Sequence, residues 1–403
     1  MTRIEVILDK VAEWSLYSLI FALPFSKSIA EIAIVLALLS VVLRKIILKE
    51  KILRNEPIDI LLYIFLAVSL LSLFNTSYMG LSVRAFFTKS LKFGALFLAV
   101  REIITTREKL NNLIIIGLLS CAVISIDGFI QYFLTHVDLL HNYPSFNFET
   151  LKPHYFGVPT ASFPYPNDFA AWILIYIFPI GTFLVFGSPK TTAAIITGTL
   201  LACLGYLFFL TKVRGAWLSF MISFSLLSFV RLKKIVVFML IAVLILALFV
   251  HKPLRTYVFA LTSINDRAVM WNNGWQIFKQ HPIIGNGLNT FFVNYAKVRN
   301  DESKGVRGSY AHNCYLQMAA DIGLIGLAAF LAFAFSLLLK GFSSIRRIKD
   351  PFYYSLILGL TLALSAFLLH SFVDTNLYSL NLSALFWSVS GILLSVIRIA
   401  EAR

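Results

Sequence analysis

The sequence predicts an all-α polytopic membrane protein with about twelve transmembrane helices. Three observations predict it: the composition, the long apolar runs, and the placement of basic residues between them. Hydrophobic side chains make up 59% of the 403 residues and charged ones 14%, with a mean hydropathy of +0.81. Soluble domains run near roughly 45–50% apolar and about 25% charged. That balance excludes a disordered chain. It also gives the net charge of +15 a source other than nucleic-acid binding, because Lys and Arg collect in the cytoplasmic loops of membrane proteins. Cys121, Cys203 and Cys314 are widely spaced and give neither a CxxC nor a metal-ligand spacing. Asp9 and Glu13 precede the first apolar run and no small-residue cleavage site closes it, so no cleavable leader is expected.

A helical span needs about 20 mostly apolar residues. Such runs lie near 11–26, 29–48, 58–75, 84–101, 111–133, 167–187, 191–211, 214–231, 234–250, 313–340, 353–373 and 379–400. Pro24, Lys27 and Glu31 interrupt the first two, which also fit one long broken helix. The fourth is weakly apolar, with Arg84, Lys89 and Lys92. Arg44, Lys45, Lys49, Lys51 and Arg54 follow the second run, and Arg101, Arg107 and Lys109 the fourth. Arg231, Lys233 and Lys234 follow the eighth, and Lys340, Arg346, Arg347 and Lys349 the tenth. With twelve spans all these fall on one side, the cytoplasm, with both termini inside.

The same alternation makes residues 1–403 a single membrane domain with two long outer segments, 134–166 and 251–312. The second is expected to carry short helices. It holds Lys252, Arg255, Arg267, Lys279, Lys297, Arg299, Lys304 and Arg307 against Asp266, Asp301 and Glu302. Positive charge on that side runs opposite to the insertion rule. Two readings stand: a loop lying beside anionic headgroups, or an anionic substrate held at the membrane surface by Arg forks that match phosphate oxygens.

Three outer clusters carry candidate chemistry. In Thr211-Lys212-Val213-Arg214-Gly215-Ala216-Trp217, Arg214 sits at a span end, where a lone Arg is ordinarily a snorkelling anchor, yet Gly215 beside it allows close approach. In the second, Val269, Trp271, Trp275 and Phe278 are spaced for a short interfacial helix. Asn265 or Asp266 would cap its start, placing Arg267 near the N-terminus, where the helix dipole favours an anionic partner for it. The Gly285-Asn286-Gly287 that follows reads as a turn. The third is Tyr310-Ala311-His312-Asn313-Cys314-Tyr315-Leu316-Gln317, where the chain re-enters the membrane. There His312 is either a hydrogen-bonded structural histidine or a proton acceptor. Second-tier candidates are Arg84 (phosphate ligand or anchor), Asn167 and Asp168 (helix cap), Asp127 at depth in the fifth span, and His370 with Asp374, one turn apart at the end of the eleventh.

Taken together these pieces resemble the bacterial O-antigen ligase family and the related O-antigen polymerases and protein O-oligosaccharyltransferases that share its domain. The resemblance rests on RGAWL at 214–218, Arg267 with Trp271, HPIIGNG at 281–287, AHNCYLQMAADIGLIGL at 311–327, and FPYPNDFAAWIL at 163–174. It implies a C-type membrane glycosyltransferase of the bacterial inner membrane with its site facing the periplasm. Its donor would be an undecaprenyl-pyrophosphate-linked glycan, its acceptor a sugar hydroxyl of lipid A-core, and transfer would invert the anomeric carbon to complete lipopolysaccharide. No cofactor, metal or nucleic acid is expected, and the absence of any Asp-x-Asp agrees; membrane lipids are the other partner. The resemblance implies His312, Arg214 and Arg267 as catalytic; Arg84, Asn313, Asn167, Trp271 and Asp374 are the substrate-binding candidates. The few residues after the last span favour a ligase over pilin-type transferases, which carry larger soluble C-terminal regions. From another class, a lipid-linked sugar transporter would call for repeated, charge-bearing spans.

Overall fold

The computed structural model describes residues 3–147, 152–153, 157–230, 262–299 and 310–402. These are helical apart from connecting segments and a two-residue antiparallel pair, Phe146–Asn147 with Lys152–Pro153. The helices are α1 (Arg3–Ala22), α2 (Lys27–Ile47), α3 (Pro57–Leu71), α4 (Met79–Ala85), α5 (Lys92–Ile103), α6 (Arg107–Ile130), α7 (Pro166–Phe186), α8 (Thr191–Leu210), α9 (Arg214–Val230), α10 (Thr262–Gln280), α11 (Phe291–Val298), α12 (Cys314–Ile345), α13 (Pro351–His370) and α14 (Leu380–Glu401). Seven helical stretches among the described residues are long and apolar enough to cross a membrane, which makes the chain a multi-pass membrane protein. Each expected span coincides with helix except 234–250, which lies outside the described residues.

The ambiguity over the first two spans resolves into a hairpin. Ser26 caps α2 by accepting from the Ile29 amide, and α1 packs along α2. The fourth span runs from α4 through a π-helical stretch, Phe86–Leu91, into α5. The charges that weaken it are paired: Lys92 Nζ lies 2.6 Å from Glu31 and Lys89 Nζ 2.7 Å from Asn289 Oδ1. Pairing is what makes an amine tolerable at such depth. Asp127 is similarly explained. Its carboxylate accepts from Ser162 Oγ (2.7 Å) and the Leu139 amide (2.8 Å), while Gln131 Oε1 accepts from the amides of Thr160 and Ala161. Together they clamp the segment after α6 back onto the helix, a structural duty.

α13 and α14 form the centre, buried over most of their lengths. α13 lies against α7 so closely that Gly359 has no room for a side chain beside Pro179 and Thr182, whose hydroxyl donates to the Ser355 carbonyl at 2.8 Å. At one end of the bundle the basic residues form an ion-pair network. Arg101 pairs with Asp59 and Glu56, Arg54 and Lys45 with Glu102, Arg44 and Lys109 with Asp9, and Arg398 donates to the carbonyls of Arg101 and Ile104. Much of the loop charge counted in the sequence therefore also ties helix ends together.

Toward the opposite end α12 is broken at Gly323, whose φ of +70° and ψ of −178° interrupt the helix. The HPIIGNG segment fills the break. Asn286 and Gly287 donate to the carbonyls of Ala320 and Asp321, and Leu324 and Ile325 donate to those of Pro282 and Ile283. A helix interruption within an apolar span is tolerated when protein satisfies the freed backbone groups. Gly285 (φ +79°) faces the backbone of Asp321 and Gly323, and Gly323 that of Ile283 and Ile284, so neither position admits a side chain.

The expected start of the interfacial helix changes. α10 begins at or before Thr262, so Asn265 and Asp266 lie inside it rather than capping it, and Arg267 falls beyond its first turn. The face it buries against the bundle is Met270, Asn273, Gly274 and Ile277. Gly274 seats Leu316, which draws that face onto α12 and leaves Trp271 and Trp275 exposed, the disposition favoured by indole rings at a membrane interface.

The basic-loop alternation has a direct check. Reporter fusions after residues 50, 145, 290 and 345 are expected to read inside, outside, outside and inside. An outside reading at 345 would break the twelve-span topology.

Candidate active site

The site is built where the start of α7, the start of α12 and the end of α13 meet. Asn313 caps α12 through Oδ1, which accepts from the amides of Tyr315 and Leu316 at 3.0 Å. The residue before the cap, His312, has a φ of +48°. A left-handed backbone without glycine costs roughly 1–2 kcal/mol, and such residues recur at functional positions. Gln317, buried, accepts from the Ala311 amide at 3.1 Å and fixes the chain's approach. The side chain of His312 remains 37% exposed, so a substrate can reach it.

His312 Nδ1 lies 3.3 Å from Asp374 Oδ1. Asp374 occupies the turn after α13 and is buried. Its Oδ1 also accepts from the Thr375 amide (2.8 Å) and its Oδ2 from Asn167 Nδ2. The turn is pinned to α12 from behind: the Cys314 amide donates to Ser371 O at 2.8 Å and Cys314 Sγ to Asp374 O at 3.3 Å. Burial opposes ionisation of Asp374, but the hydrogen bond and charge of His312, with further contributions from His370 and Arg267, hold its carboxyl well below the usual carboxylate range. A carboxylate on Nδ1 sets the neutral imidazole with its proton there, leaving Nε2 as the proton acceptor.

The two arginines come to the same turn from different elements. Arg267, half-buried on α10, is near enough for its charge to act on Asp374. Arg214, half-buried, opens α9, and the next residue, Gly215, lies directly against Val373 and His370. Asp168 on α7 is within electrostatic reach of His312, Asp374 and Lys27.

The structure thus brings together His312, Asp374, Asn167, Arg267 and the Arg214 segment, and it changes several roles. Asn313 spends its side-chain oxygen on the helix cap. Asn167 follows Tyr165, the residue at the cap position of α7, by two places and reaches Asp374 instead of capping. His370 is buried against Asn376 (Nδ1 to Nδ2 3.2 Å), so it does not face a substrate with Asp374. Arg84 is exposed on α4, and its guanidinium joins no member of the cluster among the described residues. Trp271 is exposed on α10. Asn167 as the second support of Asp374 was not legible, since 207 residues separate them. Gln317 stood inside a motif whose spacing gives no hint that it reaches back to residue 311.

The chain is a polytopic helical protein in which a carboxylate-held histidine lies at the meeting of three helices. Residues 199–331 match the family model described as O-antigen ligase. This segment contains Arg214, Arg267 and His312. No curated protein matches the chain.

Proposed function

We propose that the chain is an O-antigen ligase, transferring a glycan from undecaprenyl pyrophosphate to a sugar hydroxyl of lipid A-core at the periplasmic face of the inner membrane. The observation that carries the reading is the His312–Asp374 pair, with the charge of Arg267 acting on it and the Arg214-Gly215 helix start seated against the same turn. The acceptor hydroxyl attacks the anomeric carbon and His312 Nε2 takes its proton. The bond from that carbon to the pyrophosphate oxygen breaks, its electrons leaving with the pyrophosphate, and the configuration inverts. Asp374 stabilises the imidazolium that forms. Arg214 and Arg267 hold the charge gathering on the leaving oxygen, a role suited to guanidinium forks. Asn167 keeps Asp374 in place.

Purified protein in detergent or vesicles, given lipid-linked glycan and lipid A-core, is expected to form the ligated product. A chain that uses a growing glycan or a protein as acceptor instead would be an O-antigen polymerase or a protein O-oligosaccharyltransferase, and the acceptor assay separates the three. A lipid-linked sugar transporter is disfavoured because the sequence carries no internal repeat of the kind that marks many transporters.

The donor's charge is met here by arginines. Among the described residues no three His, Cys, Asp or Glu side chains converge to hold a cation. With no Asp-x-Asp in the sequence, transfer is expected to survive chelation of divalent ions. Activity abolished by EDTA and restored by magnesium or manganese would overturn this part of the reading.

A further inference from the structure

Gly215 is helical, and its φ is not among the positive ones, so the backbone does not require a glycine there. Space does. A Cβ on residue 215 would stand 2.5 Å from Val373 Cγ2, 3.4 Å from His370 Cδ2 and 3.6 Å from His370 Nε2. Carbon atoms pack at about 3.5–4.0 Å, so the His370 ring sits at ordinary contact distance while Val373 blocks any side chain. The wall is firm. His370 is buried, with its ring held by Asn376, and the Val373 amide closes the turn on the His370 carbonyl at 3.0 Å. The same turn carries Asp374, the support of His312, and the residue before Gly215 is Arg214.

We propose that the bare face of Gly215, seated on the His370–Val373 wall, is the spacer that fixes the distance between the Arg214 guanidinium and the His312–Asp374 pair. Gly215, His370 and Val373 are positioning residues that touch neither donor nor acceptor, and the inference rests on the transferase reading above. The seat makes one rigid unit of two groups that act at opposite ends of the breaking and forming bonds: the cation at the departing pyrophosphate and the base at the incoming hydroxyl. An added methyl at 215 must push the start of α9 away from the turn by about 1 Å, and a misplacement of that size costs on the order of 100-fold in rate. The long Arg side chain still reaches the donor as a charge, so turnover falls much more than donor KM rises. Asp374 and His312 keep their pairing, so the pH profile keeps its shape.

The test is steady-state transfer by purified full-length Gly215→Ala, Gly215→Ala/Val373→Ala and Arg214→Ala proteins, with membrane yield and Tm recorded. Gly215→Ala is expected to lose about 100-fold in kcat with donor KM changed no more than about threefold. Val373→Ala in the same chain, by removing the blocking Cγ2, is expected to restore kcat to within about fivefold of wild type. If Gly215→Ala fails to accumulate, the double variant alone decides, since a steric cause demands recovery of both yield and turnover. Wild-type kcat in Gly215→Ala, or no recovery in the double variant, overturns the spacer. Should Arg214→Ala itself turn over at the wild-type rate, the assignment of Arg214 falls instead, and the spacer with it.

Discussion

His312→Ala is expected to lower transfer by about 10²–10⁴-fold, the usual contribution of a positioned general base, while the protein still inserts and binds its donor. The argument is geometric. The imidazole is exposed enough to meet a substrate and stands on a left-handed backbone, with its Nδ1 3.3 Å from a buried carboxylate. That carboxylate is itself fixed by Asn167 and the Thr375 amide. Asp374→Asn keeps the shape but removes the charge that stabilises the imidazolium, so it should fall in turnover rather than in donor affinity. The sign of the pH effect follows from the depressed Asp374 carboxyl. A group ionised well below its unfolded range contributes its stabilisation at all pH values above that range and loses it only as pH falls through its folded value. Acid inactivation above about pH 5 would therefore not be protonation of Asp374. The measurement is single-turnover transfer with purified variants of confirmed folding and donor binding. Turnover near wild type in His312→Ala would return His312 to a structural histidine.

The helical, membrane-spanning class was legible because hydropathy is a sum over many residues, and a sum tolerates local exceptions such as Lys92, which has its own partner in Glu31. Arg214, Arg267 and His312 could be singled out as candidates because each stands in a local motif whose neighbours, Gly215, Trp271 and Asn313, are close in sequence. The partners were harder. Asp374 lies 62 residues from His312 and 207 from Asn167, and no periodicity reports a contact between the ends of different helices. Helix boundaries failed for a related reason. Asn265 and Asp266 are good caps by type, but α10 had already begun at Thr262, and Asn167 was drawn off capping by a carboxylate that only tertiary packing supplies. The face by which α10 packs on the bundle was not legible, because hydropathy gives Gly274 no weight. What decided burial was the fit of Leu316 against a residue with no side chain.

Arg214→Lys and Arg267→Lys are each expected to impair transfer by roughly 10- to 100-fold, and the Ala variants by more. Lys keeps the charge but presents a point ammonium in place of a planar fork, so it cannot make the two-pronged contact that a phosphate accepts from a guanidinium. Losing one charge-assisted hydrogen bond in a partly desolvated site costs about 1.5–3 kcal/mol, which converts to that range. The two arginines reach the turn at 370–374 from different helices, Arg214 through Gly215 and Arg267 across space from α10. Their effects should couple in a double variant if both grip one pyrophosphate, because removing the first grip loosens the second. The loss is expected chiefly in turnover, since negative charge grows on the leaving oxygen as the bond to the sugar breaks, and a contact that strengthens along that path acts on the transition state. In-vitro transfer from lipid-linked glycan, with donor binding measured separately, decides it. Full activity in either Lys variant would remove that arginine from the pyrophosphate and leave it a membrane-surface anchor. Equal losses in binding and turnover would instead mean that it holds the donor without assisting departure.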